Sequence, residues 1–295
     1  MSQRDTPVVH QRRLRAELRR LREDKLFTQK YVAEQLEWSV SKIIRVENGS
    51  SNIGSTDLKA LLELYDVTDS DRVNELLAEA RASRQSVWWT RHRPYIDPQF
   101  YFFIGIEASV ERIRQYQALA MPGLLQTRSY TQALALAVET DETEIQRGVD
   151  IRMKRQGIVV ADGPELHFII DEAVLRRYVD QVDVMIEQWE AILEKAELPN
   201  VTVQVLRLGP HVKTAHRGLR GSFSLLKLPD DDAEVLVLEE PLRDVMIRDD
   251  QQDIEKYDEA FDILRGLALD KKESIAFIRN LIVQARDAEL TAEAV

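Results

Sequence analysis

The chain has 295 residues, 44% of them hydrophobic, with no cysteine and a formal net charge of −11. Such a length suits two domains, and the lack of cysteine excludes disulfides, thiolate nucleophiles and Cys-ligated zinc. No apolar run approaches the ~20 residues that span a bilayer, and the polar start (Ser2, Gln3, Arg4, Asp5) lacks the apolar core of a secretory signal, so a cytoplasmic protein is expected. Charge is unevenly divided: residues 1–49 hold 11 Lys/Arg against 7 Asp/Glu, and the remainder 29 against 44. A net-basic end on an acidic bulk suits an orientated binder of polyanions rather than a uniformly sticky surface.

Residues 1–8 read as a disordered arm, and 9–82 as a helical domain. Leu14, Leu18 and Leu21 give the first helix an apolar stripe, with Arg12, Arg13, Arg15, Arg19, Arg20 and Arg22 on its other faces. Thr28 is placed to cap a second helix, with Gln29 in its first turn and Val32, Ala33 and Leu36 facing inward. Ala33 is small where a crossing helix must come close. Ser39 is placed to cap a third helix in which Ile43 and Val46 point inward and Ser41, Lys42 and Arg45 outward, and Gly49 after Asn48 ends it. Leu58, Leu61, Leu62 and Tyr65 predict a fourth helix, and Val73, Leu76 and Leu77 a fifth.

Over residues 11–66 this pattern resembles the Xre/Cro-type helix-turn-helix of lambda-type repressors. The resemblance implies that the helix over about 39–48 enters the major groove of double-stranded DNA. It implies that Thr28 and Gln29 belong to the DNA-binding set, with Gln29 meeting a phosphate or base at the groove edge, that Ser39, Val40, Ser41 and Lys42 meet base edges, and that Arg45 and Asn48 hold backbone or base. Two residues depart from the family pattern. Glu37 stands where the turn usually has Gly, at a cost of roughly 1 kcal/mol if its φ is positive. Val40 stands where the recognition helix commonly has Pro, and either meets a thymine methyl or fills the helix.

Residues 83–104 are rich in aromatics (Trp88, Trp89, Tyr95, Phe100, Tyr101, Phe102, Phe103) and broken by Pro94 and Pro98, and read as a linker that docks on an apolar surface. The tryptophans suit domain packing, a small-molecule pocket or a partner surface, packing being favoured. Residues 105–288 read as a regulatory or partner-binding domain, and 289–295 as a tail. Helices are predicted over Ile106–Tyr116, Ser129–Val138, Glu142–Gln156 behind a capping box at Asp141–Glu144, Glu172–Val179, Val182–Ala196, 251–267 and 271–286. Strands are predicted over Leu166–Ile170, Val201–Leu206, Gly221–Leu228, Val235–Glu239 and Asp244–Arg248. The fold class expected is therefore multi-domain, an all-α helix-turn-helix domain followed by an α+β domain with a small, mainly antiparallel sheet.

Trp88-Trp89, the run Tyr116–Thr127, the run Asp171–Arg177 and the run Leu198–Leu206 together resemble WhiJ-like, antitoxin-like regulators of actinobacteria over about residues 11–282. That resemblance implies a DNA-binding regulator that pairs with a small cognate protein, or an antitoxin-like module that neutralises such a partner and uses DNA binding for autoregulation. A homodimer on an inverted-repeat operator is expected. His211 and His216 sit in a Gly/Pro-bounded loop with no Cys nearby and are read as surface residues rather than metal ligands. The carboxylates Asp230–Asp232 and Glu239-Glu240 are read as solvated. With no nucleophile-elbow, P-loop, dinucleotide or zinc-protease motif, no enzyme activity, cofactor or metal is expected.

Overall fold

A computed structural model describes residues 6–49, 51–177, 181–209, 218–229, 234–239, 245–248 and 250–293, with side chains through 288. His211, His216, Asp230–Asp232 and Glu240 lie outside the described residues. The chain divides into two compact units, Met1–Ser109 and Val110–Val295.

The first unit is helical: α1 (Pro7–Asp24), α2 (Gln29–Gln35), α3 (Val40–Glu47), α4 (Ser55–Leu64), α5 (Ser70–Ala82), a 3-10 turn over Thr90–Tyr95, and α6 (Pro98–Glu107). Leu14 and Leu18 of α1, Val32 and Ala33 of α2, Ile43 and Val46 of α3, the leucines of α4, and Leu76, Leu77 and Ala80 of α5 form one core. Two expectations are corrected here. The arm expected over 1–8 is helical from Pro7, with Val8 and Val9 buried. The expected linker carries α6: Asp97 caps it by accepting from the amides of Gln99 (2.7 Å) and Phe100 (3.2 Å), and Pro98, lacking an N–H, suits its first turn. Helix α6 packs on α1, where a side chain at Gly105 would come within 2.3 Å of Val8. The Thr6 hydroxyl donates to the Gly105 carbonyl at 2.7 Å, and the Thr6 amide to Ser109 Oγ at 3.0 Å. Trp89 is buried, edge-on to Trp88 at 5.3 Å, as packing requires.

The second unit holds a six-stranded mixed sheet of order β3-β2-β1-β4-β5-β6. Its strands are β1 (Arg112–Gln117), β2 (Glu165–Asp171), β3 (Val201–Leu206), β4 (Phe223–Lys227), β5 (Glu234–Glu239) and β6 (Val245–Arg248). The β1–β2 and β2–β3 pairs are parallel and the other three antiparallel. Parallel neighbours need crossovers. These are α7 (Arg128–Leu136) and α8 (Glu142–Arg155) between β1 and β2, then α9 (Glu172–Arg176) and α10 (Val182–Ala196) between β2 and β3. Helix α11 (Gln251–Leu267) lays Ile254, Phe261 and Leu264 on Tyr116, Phe223, Leu225 and Leu236.

The helix expected over Ile106–Tyr116 is overturned: α6 ends at Glu107 and Arg112–Gln117 is the strand at the heart of the sheet. Its polar residues are answered from β5, where Glu234 accepts from Arg112 (2.9 Å) and Arg114 (2.6 Å), and Glu239 from Gln115 (2.9 Å). The capping box at 141–144 is only half made. Asp141 caps the amides of Thr143 and Glu144, but its own amide goes to Glu139 (3.1 Å), and Glu144 pairs with Arg147. The final helix, α12 (Lys271–Glu293), runs through most of the expected tail.

Two further devices organise this unit. The irregular passage Met121–Gln126 is buried, so its carbonyls need donors. Gln126 supplies Met121 (2.8 Å), Gln156 supplies Gly123 (3.1 Å) and Gln126 (2.7 Å), Lys195 supplies Leu124 (2.9 Å) and Gln188 supplies Leu125 (2.8 Å). The outer edge of β3 is closed by the passage entering α12. Leu269 donates to the Val205 carbonyl (2.9 Å), the Val205 amide donates to Ser274 Oγ (3.0 Å), and Lys271 Nζ donates to the Val201 carbonyl (2.7 Å).

Candidate nucleic-acid interface

Helices α2 and α3 are defined by their caps. Thr28 Oγ1 accepts the Tyr31 amide at 3.1 Å and Ser39 Oγ accepts the Lys42 amide at 3.2 Å, each satisfying an otherwise unpaired first-turn donor. Between them the chain reverses through Glu37 at φ 55°, with Trp38 N bonded to Ala33 O (2.8 Å) and Glu37 N to Glu34 O (3.4 Å). This is a Schellman corner built on a residue other than Gly. The same corner ends α1 at Leu26 (φ 58°) and α4 at Asp66 (φ 58°), and in each case the following apolar residue, Phe27, Trp38 or Val67, packs on the core. Ala33 is 1% exposed, as a close crossing of α2 and α3 demands.

With Ile43 and Val46 buried, the outward face of α3 presents Val40, Ser41, Ile44, Arg45 and Asn48, which fall at i, i+1, i+4, i+5 and i+8. Thr28 and Ser39 are exposed beside it. The Arg45 side chain is exposed and takes no acidic partner among the described residues.

Two expected contact residues are held inside the unit. Gln29 donates through Nε2 to Glu47 (2.7 Å). Lys42 lies 3.6 Å from the centroid of the Trp38 ring, with Nζ 2.8 Å from the Asp57 carboxylate. Glu47 is the hub of the α2–α3 junction. Arg22 grips it with Nε (2.6 Å) and Nη2 (3.0 Å), and donates from Nη1 to the Phe27 carbonyl (2.8 Å). That bond to Glu47 holds the guanidinium above its ordinary pKa, and burial, reinforced by the Glu47 charge, pushes the neighbouring Tyr65 hydroxyl upward. The hub, Asp57 and the exposure of Ile44 were all missed by sequence reasoning. Only Ile44 left a signal there, since one helical face cannot bury Ile43, Ile44 and Val46 together.

The arginines of α1 do not form a bare cationic stripe. Arg19 pairs with Glu23 (2.8 Å), and Arg20 with Glu17 (2.8 Å) and Asp24 (2.7 Å). Hydrogen bonds from Arg20, and then Arg72, hold the Glu17 carboxyl at about 2 despite its partial burial. Among the described residues no three metal-ligating side chains cluster, and no helix is long and apolar enough to cross a membrane.

Comparison with known families places two models on the chain. Residues 13–76 match one described as a helix-turn-helix domain, and residues 101–280 match one described as a domain of unknown function (DUF5753). No curated protein and no solved structure matches the chain.

Proposed function

Because the chain belongs to the DUF5753 family and carries a helix-turn-helix domain ahead of that family's domain, we propose that it is a sequence-specific transcriptional regulator. In this reading the protein is cytoplasmic and without enzyme activity, and lays α3 in the major groove of double-stranded DNA. The outward face of α3 carries the reading. It presents the polar Ser41 and Asn48 and the basic Arg45 beside the apolar Val40 and Ile44, and the helix's one acid, Glu47, is turned inward to Arg22. A homodimer would present two such helices to an inverted repeat with half-sites about 34–36 Å apart.

The second unit takes the regulatory input from a small partner protein or a ligand. Residues 110–295 hold 23 Lys/Arg against 35 Asp/Glu, which favours a basic partner and repels DNA from that unit. The same charge supports a second reading, in which the chain neutralises a small basic protein and binds DNA for autoregulation. Co-purification from the native cell, followed by DNA binding with and without the captured partner, separates the two.

Titration of the full chain against a selected operator tests the groove placement. Arg45→Ala is expected to cost about 1–3 kcal/mol of binding, and Lys42→Ala less, because Lys42 is already engaged with Asp57 and Trp38. Equal affinity of Arg45→Ala and the wild type would remove α3 from the groove.

A further inference from the structure

We propose that Val40 and Ile44 form an apolar contact that reads the C5-methyl group of thymine, so that the operator half-site carries thymine beside the base met by Arg45. The inference deepens the groove placement of α3 and rests on it. Val40 is 39% exposed and Ile44 41%, and at i, i+4 they are neighbours on one stripe of the helix. Neither is needed inside: Ile43 and Val46 already fill the core side of α3 at 1% and 6% exposure. Scattered surface apolar residues are ordinary, but this pair shares its face with Ser41, Arg45 and Asn48, and no exposed carboxylate of α3 lies there.

A face that is cationic and acid-free complements a polyanion rather than an apolar protein patch. On the floor of the major groove the distinctive apolar group is the thymine methyl; the other base-edge groups are donors and acceptors. Both side chains are β-branched and therefore stiff in a helix, so little rotamer freedom is lost on contact. Lys42 does not compete for the same bases, because its ammonium is turned to Trp38 and Asp57.

The test uses the full chain and a duplex selected from a randomised pool. Each thymine is then replaced singly by deoxyuridine, which removes the methyl and leaves the pairing intact. At one or two positions per half-site the affinity should fall about fourfold. For Val40→Ala/Ile44→Ala the intact duplex should already bind at least as weakly as the deoxyuridine duplex binds the wild type, and the deoxyuridine change should cost nothing further; for Ile44→Ala alone it should cost less than the fourfold seen with the wild type. Specific binding that is indifferent to deoxyuridine at every position overturns the methyl contact and leaves the groove placement standing. No preferred duplex at all removes both. If Ile44→Ala instead lowers the sedimentation mass while deoxyuridine is neutral, the stripe is a protein contact and the proposal falls.

Discussion

Glu37 is asked to do what glycine does without strain. At φ 55° its Cβ crowds the backbone, a conformation that costs an L-residue about 1–2 kcal/mol, partly offset because glycine has more unfolded-state freedom to lose. Glu37→Gly is therefore expected to raise stability by about 0.5–1 kcal/mol, read as a higher urea midpoint at unchanged slope. A lower midpoint would show that the Glu37 side chain contributes something the corner geometry does not reveal. Glu47 behaves oppositely. Its side chain is 7% exposed and that of Arg22 11%, so Glu47→Ala leaves a buried guanidinium with only the Phe27 carbonyl and the exposed Glu23 carboxylate at 3.4 Å as partners among the described residues. The expected loss is about 3–5 kcal/mol by equilibrium unfolding, and a loss below about 1 kcal/mol would mean that water reaches the site.

At the scale of the element, the clamp around Met121–Gln126 gives a pH signature. Burial pushes the Lys195 ammonium down from 10.5 to about 8, opposed only in part by the charge of Glu194. Between those values the unfolded chain binds more protons than the folded one, so stability rises with pH. Below pH 8 both states are charged and the contribution is flat. Stability of wild type against Lys195→Met from pH 7 to 10.5 measures it, and parallel curves would remove the effect. Elements whose signals are local were legible in the sequence. The two capped helices, the turn between them, and the strand Val201–Leu206 with its β-branched alternation are all encoded within a few residues. Strand β1 was not legible, because Arg112 and Arg114 look solvated until Glu234, more than a hundred residues on, is brought beside them. Lys42 hid its role in the same way, its partner Asp57 lying on the next helix. Helix α6, by contrast, announced itself in Asp97-Pro98, a cap followed by a first-turn proline, and its run of aromatics obscured the signal.

At the scale of the whole molecule, charge decides how DNA is met. The units total 17 Lys/Arg against 16 Asp/Glu over residues 1–109, and 23 against 35 over 110–295. The first number is nearly balanced, and several arginines of α1 are already paired within the unit. Few phosphates are therefore neutralised, and the slope of log affinity against log salt should be shallow, about −0.9 for each contact and no steeper than about −5 per subunit. A slope near −10 per subunit would require basic residues now paired within the unit to turn outward on binding. Weak general attraction leaves discrimination to the base edges, which agrees with the proposed placement of α3, whose outward face carries the cation Arg45 among polar and apolar side chains.

The closure of the β3 edge has a consequence in time. The residues that close it, Leu269, Lys271 and Ser274, are synthesised well after the strand itself. Until they emerge, a growing chain displays the unsatisfied amides and carbonyls of a β-branched strand, the kind of template on which strands from other molecules add. A messenger that stops short of Leu269, or a protease cut before it, therefore releases a product prone to assemble through that strand. The passage into the last helix thus shields a strand edge as well as adding a layer to the fold.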